Sequence, residues 1–333
     1  MSRPKVVVIG AGMAGLTAAH RLSAVAEVIV LDKGRGVGGR LATRRNGEAT
    51  FDHGAQFLTT HSDEFAQIVN RWVNDGVVTP WFRGRIGPDG ITDPDGHTRF
   101  RGVISMNAIA KALSVGLDVR TASLVSALRN DGTSWTVVMN DGTELFADGM
   151  VVTSPVPQTL ALFDNGNVAL SATDAVALAS IDYDPCLALM AMLDGPSGLP
   201  EPGAVDPVGG PIDWMADNQL KGISAVPAVT IHASAEFSRA QWDATDEEIA
   251  DALIRAAQLD SAVISGSVQI QRWRYARPSI EHPERFLLLD GVPPIVCAGD
   301  AFGGAKVEGA ALSGTAAALA LADSLGLTGD LLA

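Results

Sequence analysis

The sequence predicts an α/β fold whose parallel sheet opens with a strand–helix–strand unit and carries a β-meander. Three observations predict it. The apolar run Val6-Val7-Val8-Ile9 passes directly into Gly10-Ala11-Gly12-Met13-Ala14-Gly15, which is strand chemistry followed by a glycine turn. A second apolar strand over 27–31 ends at Asp32. Further on, Asn130-Asp131-Gly132 and Asn140-Asp141-Gly142 are hairpin signals between segments near 119–128, 135–139 and 144–146.

The remaining elements follow in order. Glycine-turn residues lead into a helix over 13–24 and, after a tight connection at Ala26-Glu27, into the second strand. The stretch 62–75 has helical periodicity, with Phe65, Ile68, Val69, Trp72 and Val73 on one face. Gly87-Pro88-Asp89-Gly90 and Asp93-Pro94-Asp95-Gly96 predict successive β-turns. Ser105 is placed to cap a helix over 106–113. A buried strand over 150–153 precedes an acidic-capped helix over 243–258, a strand over 268–275, a strand over 295–298 and a last helix over 309–325.

Composition narrows the function classes. Acidic residues outnumber basic ones, 38 to 24, for a formal charge of −14 over 333 residues. A nucleic-acid or membrane-surface partner calls for a basic patch, and none stands out. Cys186 and Cys297 match no metal-ligand spacing and read as small buried hydrophobes, which implies a reducing, cytoplasmic setting. Arg3 and Lys5 before an apolar run imitate a secretory signal, but the run is short and enters the glycine turn, so the strand reading is preferred. No apolar stretch is long enough to span a bilayer.

Three motifs carry chemistry. In Gly10-x-Gly12-x-x-Gly15 the first glycine allows the turn, the second lets backbone approach a pyrophosphate, and the third permits close helix packing. Met13 and Ala14 open the helix, whose free N–H groups favour an anion. Asp32, with Lys33 beside it, stands where a Rossmann-type unit places its ribose acceptor. The second motif is Gly38-Gly39-Arg40, where further N–H groups and a guanidinium can clamp a diphosphate. At the other end of the chain, a buried strand ends in Gly299-Asp300, whose carboxylate suits a polyol such as ribitol. Val307-Glu308-Gly309-Ala310 then begins a helix whose N-terminus suits the negative charge of a reduced flavin. The first motif alone indicates a dinucleotide; the three together indicate FAD. Cys297 lies inside a strand, so the FAD is expected to be non-covalent.

These motifs resemble the amine-oxidase branch of the glutathione-reductase-like flavoproteins, and its bacterial renalase-like members in particular. Leu31-Asp32-Lys33-Gly34-Arg35-Gly36, Asp52-His53-Gly54-Ala55-Gln56-Phe57, Thr153-Ser154-Pro155-Val156-Pro157-Gln158, Pro211-Ile212-Asp213-Trp214, His232-Ala233-Ser234 and Arg272-Trp273-Arg274-Tyr275-Ala276-Arg277-Pro278 carry the resemblance, in order, over nearly the whole chain. It implies a discontinuous FAD domain (1–58, 103–160 and 270–333) and an α+β substrate domain with an antiparallel sheet (59–102 and 161–269). It also places Gln56, Phe57, Val125 and Thr153 among the FAD contacts. His232, Phe57, Thr59, Trp214, Tyr275 and Arg277 fall on the substrate side, with Trp273 as a further wall residue.

The implied activity is oxidation of 2- or 6-dihydro isomers of NAD(P)H, giving NAD(P)+ and, with dioxygen, hydrogen peroxide. Such a ring is electron-rich and gives up hydride without a general base, so orientation supplies most of the catalysis. The chain shows no Ser-His-Asp order and no Cys-His pair in a catalytic context, which agrees. Phe57 stands where the family commonly has tyrosine, and a phenolic hydrogen bond is lost with it. Two other readings stay open: an amine oxidase or desaturase of the same branch, and a flavin-binding module without turnover.

Overall fold

The computed structural model describes residues 3–87, 90–206, 210–259 and 264–327. In chain order the elements are β1 (Lys5–Ile9), α1 (Met13–Leu22), β2 (Glu27–Leu31), β3 (Thr43–Asn46), β4 (Ala49–Asp52), α2 (Asp63–Asn74), β5 (Val78–Gly87), β6 (Gly90–Gly102) and α3 (Asn107–Leu113). They continue with β7 (Asp118–Arg120), β8 (Val125–Asn130), β9 (Trp135–Met139), β10 (Glu144–Ala147), β11 (Gly149–Val152), α4 (Val156–Gly166), α5 (Ala172–Ala179), β12 (Asp182–Leu193) and β13 (Ala204–Val205). The last are β14 (Ile212–Asp217), β15 (Ala228–Ala233), α6 (Ala235–Ala240), α7 (Asp246–Ala256), β16 (Ile264–Ile280), β17 (Leu287–Leu288), β18 (Ile295–Cys297) and α8 (Lys306–Ser324). Two compact units divide them: residues 1–39, 110–182 and 277–333 form the first, 40–109 and 183–276 the second. These boundaries differ from the expected breaks at 58, 103, 160 and 270. The segments 40–58, 103–109 and 270–276 pack with the second unit and 161–182 with the first.

The first unit is a six-stranded sheet in the order β17-β18-β11-β1-β2-β7. β1 runs parallel to both β2 and β11, and Val6, Val7 and Val8 are buried, as a central parallel strand covered on both faces requires. Helices α1 and α8 meet through small residues: a Cβ on Gly314 would overlap the Ala14 carbonyl. β8, β9 and β10 form the antiparallel meander, with Gly132 and Gly142 both at positive φ in its turns. The segment 119–128 is not one strand. Its first part, β7, joins the parallel sheet beside β2, and only Val125 onward enters the meander. Alternating hydrophobicity does not reveal which sheet a strand joins.

The second unit holds a five-stranded sheet, β13-β14-β15-β12-β16, and two-stranded pairs β3-β4 and β5-β6. Helix α7, secured by a Thr245–Glu248 capping box, buries Ile249 and Leu253 against Leu187, Leu189 and Ile231 of that sheet. Ser62 caps α2 through the Phe65 N–H. The turn expected at Asp93–Gly96 is a bulge inside β6: the register with β5 jumps from Arg85↔Asp93 to Arg83↔Thr98, so Pro94 to His97 lie opposite Gly84. The neighbouring turn, over 87–90, falls partly outside the described residues.

Two helix ends also move. α1 stops at Leu22, where Ser23 N–H closes on Ala19 O. α8 begins at Lys306, three residues before the expected start at Gly309. Gly309 lies inside the first turn because only glycine lets the Gly304 carbonyl approach it there. Lys306 itself takes φ +72°, a strained value for a side-chain-bearing residue.

Gly314→Ala tests the α1–α8 contact. Alanine is the better helix former by about 1 kcal/mol, yet overlap with the Ala14 carbonyl should reverse the sign and cost about 1–3 kcal/mol. Thermal unfolding of this variant and of Gly195→Ala, whose added Cβ meets nothing, measures the difference.

Candidate active site

In the first unit the glycine turn is built as the sequence predicts. Gly10 takes φ +105° against the Thr153 side chain, and a Cβ on Gly15 would overlap the Gly10 carbonyl. Thr153 donates its hydroxyl to Ile9 O at 2.9 Å. Gly12 caps α1 with no side-chain acceptor, and Met13 and Ala14 are buried behind it. A Cβ on Gly12 would meet only Gly38 O, at 4.0 Å. The glycines therefore keep open the space over the helix start that a diphosphate needs. Gly38 N–H donates to Ala11 O at 2.8 Å, with Gly38 at φ +120° and Gly39 at φ +52°.

Asp32 accepts from Ala11 N–H and Gly34 N–H, both at 2.7 Å, which locks the turn and leaves lone pairs for a ribose hydroxyl. Lys33 is exposed and donates to Gln158. Val125 is buried at the start of β8. Gly299, at φ +139°, donates its N–H to Ser313 Oγ at 2.8 Å and presents half-buried Asp300. Val307, Gly309 and Ala310 are buried in the first turn of α8, with Glu308 half-buried. Thus the glycine turn, Asp32, Thr153 and Gly299-Asp300 follow the ends of β1, β2, β11 and β18, while Val125 belongs to the meander. Their pattern fits an ADP-containing dinucleotide. Cys297 is buried, and burial, aided by the Asp174 charge, pushes its thiol up to about 12.

In the second unit a network runs from Asp52 to several of the residues expected on the substrate side. This fully buried carboxylate accepts from Thr43 Oγ1 at 2.6 Å, Met106 N–H at 3.0 Å and Lys221 Nζ at 2.8 Å. Lys221 also reaches Gln56 Oε1 at 3.4 Å and lies over the Trp81 ring at 5.0 Å. Gln56 donates to Asp52 O, and its Nε2 lies 3.5 Å from His232 Nε2. His232 sits across β14–β15 from Trp214. Trp214 packs on Phe57 at 5.2 Å and edge-on to Trp81 at 6.2 Å. Phe82 lies 6.4 Å from Phe57, and the Arg99 guanidinium stands 5.8 Å over both rings. His53 stacks on Trp273, whose indole donates to His53 O at 2.8 Å.

Both imidazoles are held neutral. Desolvation, with the Lys221 charge adding to it, lowers His232 from 6.5 to about 4 against an opposing backbone hydrogen bond at His53. His53 falls from 6.5 to about 3 through burial and then the charge of Arg44. The indole N–H of Trp214 is buried with no hydrogen-bond partner among the described residues.

Not every expected residue joins this cluster. Tyr275 packs edge-on against Tyr183 at 5.5 Å, and its carbonyl accepts from Arg40. Arg40 also donates to Ala276 O, so its guanidinium ties the glycine loop's far end to β16. Arg277 is exposed and belongs to the first unit. Thr59 contacts His61, with its hydroxyl 3.0 Å from His61 Nε2. Sequence reasoning passed over Lys221, Trp81, Phe82 and Arg99. Asp52 lay inside a quoted segment, but a lone lysine between Leu220 and Gly222 carries no local signal of its buried partner.

Comparison with known proteins agrees with this picture. A profile for NAD(P)-binding Rossmann-like domains matches residues 8–72, and one for flavin-containing amine oxidoreductases matches residues 92–322. Mouse renalase is 23% identical over 327 residues, covering 90% of this chain and 93% of that one. A structure described as a protoporphyrinogen oxidase from Exiguobacterium sp. superposes with a TM-score of 0.69 at 14% identity, covering 98% of this chain and 100% of the other. Putrescine oxidase bound to putrescine gives 0.68 at 15% identity, covering 97% and 99%. Fold and motifs define an FAD-dependent oxidoreductase. The chain belongs to the flavin-containing amine oxidoreductase family, as a renalase-like member. No helix among the described residues is long and apolar enough to cross a membrane.

The two depressed histidines set a pH dependence. In the unfolded chain each takes up a proton near 6.5, whereas the fold delays this to about 4 and about 3. Protons therefore favour the unfolded state in this window: stability is full above about 6.5 and falls as pH drops towards 3. Urea unfolding from about pH 8 down to about pH 4 should show a loss of a few kcal/mol. Replacing both residues, as His53→Asn with His232→Gln, should flatten the slope.

Proposed function

We propose that the protein oxidises isomeric dihydro-NAD(P), the 2- or 6-dihydro forms, to NAD(P)+ with reduction of dioxygen to hydrogen peroxide. The observation that carries this reading is a buried donor with no hydrogen-bond partner among the described residues: the N–H of Trp214, the residue paired across β14–β15 with His232. A nicotinamide carboxamide offers the matching group, an oxygen for the indole. An unpaired buried donor costs about 1–3 kcal/mol, which such a ligand would relieve.

FAD held by the Gly10–Gly15 turn, Asp32 and Asp300 would supply the two-electron acceptor and a route for both electrons to dioxygen. The overall balance is one dihydronicotinamide, one dioxygen and one proton to one nicotinamide cation and one hydrogen peroxide. The chain's own task is orientation. Phe57 and Trp214 provide flat apolar faces for the ring, and these faces favour the cation that hydride loss leaves. A neutral His232 does not oppose that cation. Gln56, held by Lys221 and the Asp52 carbonyl, fixes the imidazole. No side chain is asked to remove a proton.

The aromatic cluster of Phe57, Trp81, Phe82 and Trp214 favours a second reading, amine oxidation, since such rings can surround a neutral amine. Arg99 over two of these rings argues for a substrate bringing negative charge instead. Anaerobic mixing with ordinary NADH, its 2- and 6-dihydro isomers and a panel of amines separates the readings. Rapid flavin bleaching by an isomer is expected, with His232→Leu slowing it about tenfold, the worth of one hydrogen bond. Bleaching by amines alone would overturn the proposal.

A further inference from the structure

A row of basic and polar side chains extends from this cluster along one face of the second unit. The bridge Leu58↔Phe100 is antiparallel, so Thr59 lies across from Arg99 and His61 across from His97. The side chains bear this out: the His61 and His97 rings are 4.3 Å apart, and Thr59 Oγ1 is 3.0 Å from His61 Nε2. Arg99 also pairs with Phe82 on β5, which sets its guanidinium over Phe57 and Phe82. Arg99 is only 9% exposed, while His61 is exposed and His97 is half-buried. The row thus grades from an aromatic end, through a buried cation, to an open imidazole pair. His97 closes the bulge in β6, a feature that re-aims side chains beside binding sites.

We infer that Thr59, His61, His97 and Arg99 form an anion subsite that takes the diphosphate of a dinucleotide substrate. Two steps along a strand, from Phe57 to Thr59, cover about 7 Å, a distance that a ribose unit bridges between a ring on Phe57 and a phosphate at Thr59. A guanidinium, two imidazoles and a hydroxyl are the donors a diphosphate needs. This inference rests on the dihydronicotinamide reading and adds to it a reason for selecting dinucleotides over amines.

The test uses FAD-loaded protein and the variants His61→Ala, His97→Ala and Arg99→Gln, with circular dichroism and flavin content as folding controls. Calorimetry with ADP-ribose and with inorganic pyrophosphate measures the subsite without turnover. Anaerobic flavin reduction then compares an isomeric dihydro-NAD with the matching phosphate-free dihydronicotinamide riboside. Expected are about tenfold or weaker ADP-ribose binding in each variant, and a loss in kcat/KM for the dinucleotide at least tenfold greater than for the riboside. Equal losses for both substrates, or unchanged ADP-ribose affinity, would overturn the subsite while leaving the proposed oxidation standing. Weakened ADP-ribose binding in a protein that no dihydronicotinamide reduces would support the subsite and sink the substrate reading.

Discussion

The second unit is organised by one buried carboxylate. Asp52 lies wholly out of water and accepts from a hydroxyl on β3, a backbone N–H at the start of α3 and the ammonium of Lys221. An unpaired charge in such a place would cost several kcal/mol, so its partners are obligatory rather than decorative. Through Lys221 the same interaction reaches Gln56 and the Trp81 ring, and through Gln56 it reaches His232. Gln56, His232 and Trp214 are therefore tied, within two contacts, to a single ion pair.

The first unit depends on a different constraint, the close approach of backbone to backbone. Gly10, Gly15, Gly309 and Gly314 are each placed where a Cβ would strike a carbonyl or the Thr153 hydroxyl. Such packing brings helix starts up to the sheet and leaves their N–H groups for a diphosphate. Asp32 spends hydrogen-bonding capacity on the turn itself, so the residue expected to recognise ribose is also a structural clamp. In both units a charged side chain is a structural clamp, Asp32 in the first and Asp52 in the second.

Much of the first unit was legible in the sequence because its determinants are local. Glycine spacing, an apolar strand and an acid at the next strand's end all lie within the first 32 residues. Hairpin signals likewise marked the meander. What escaped reading was set by tertiary contact: β7 leaving for the parallel sheet, α8 starting three residues early, and a β6 bulge that mimics a turn. The same division runs through the site. His232, Phe57 and Trp214 fall together as expected, whereas Lys221 and Arg99 acquire meaning only from partners far away in sequence. Tyr275, expected beside them, packs on Tyr183, and Arg277 is exposed.

On the proposed reading, hydride leaves a dihydronicotinamide directly, with orientation in place of a base. Anaerobic flavin reduction by an isomer deuterated at its hydride-bearing carbon tests this most directly, followed across neutral to alkaline pH. The rate constant is expected to drop several-fold on deuteration and to stay flat with pH, because no side chain must titrate for the step to occur. A rate indifferent to deuterium, or one that rises with the deprotonation of a protein group, would contradict it.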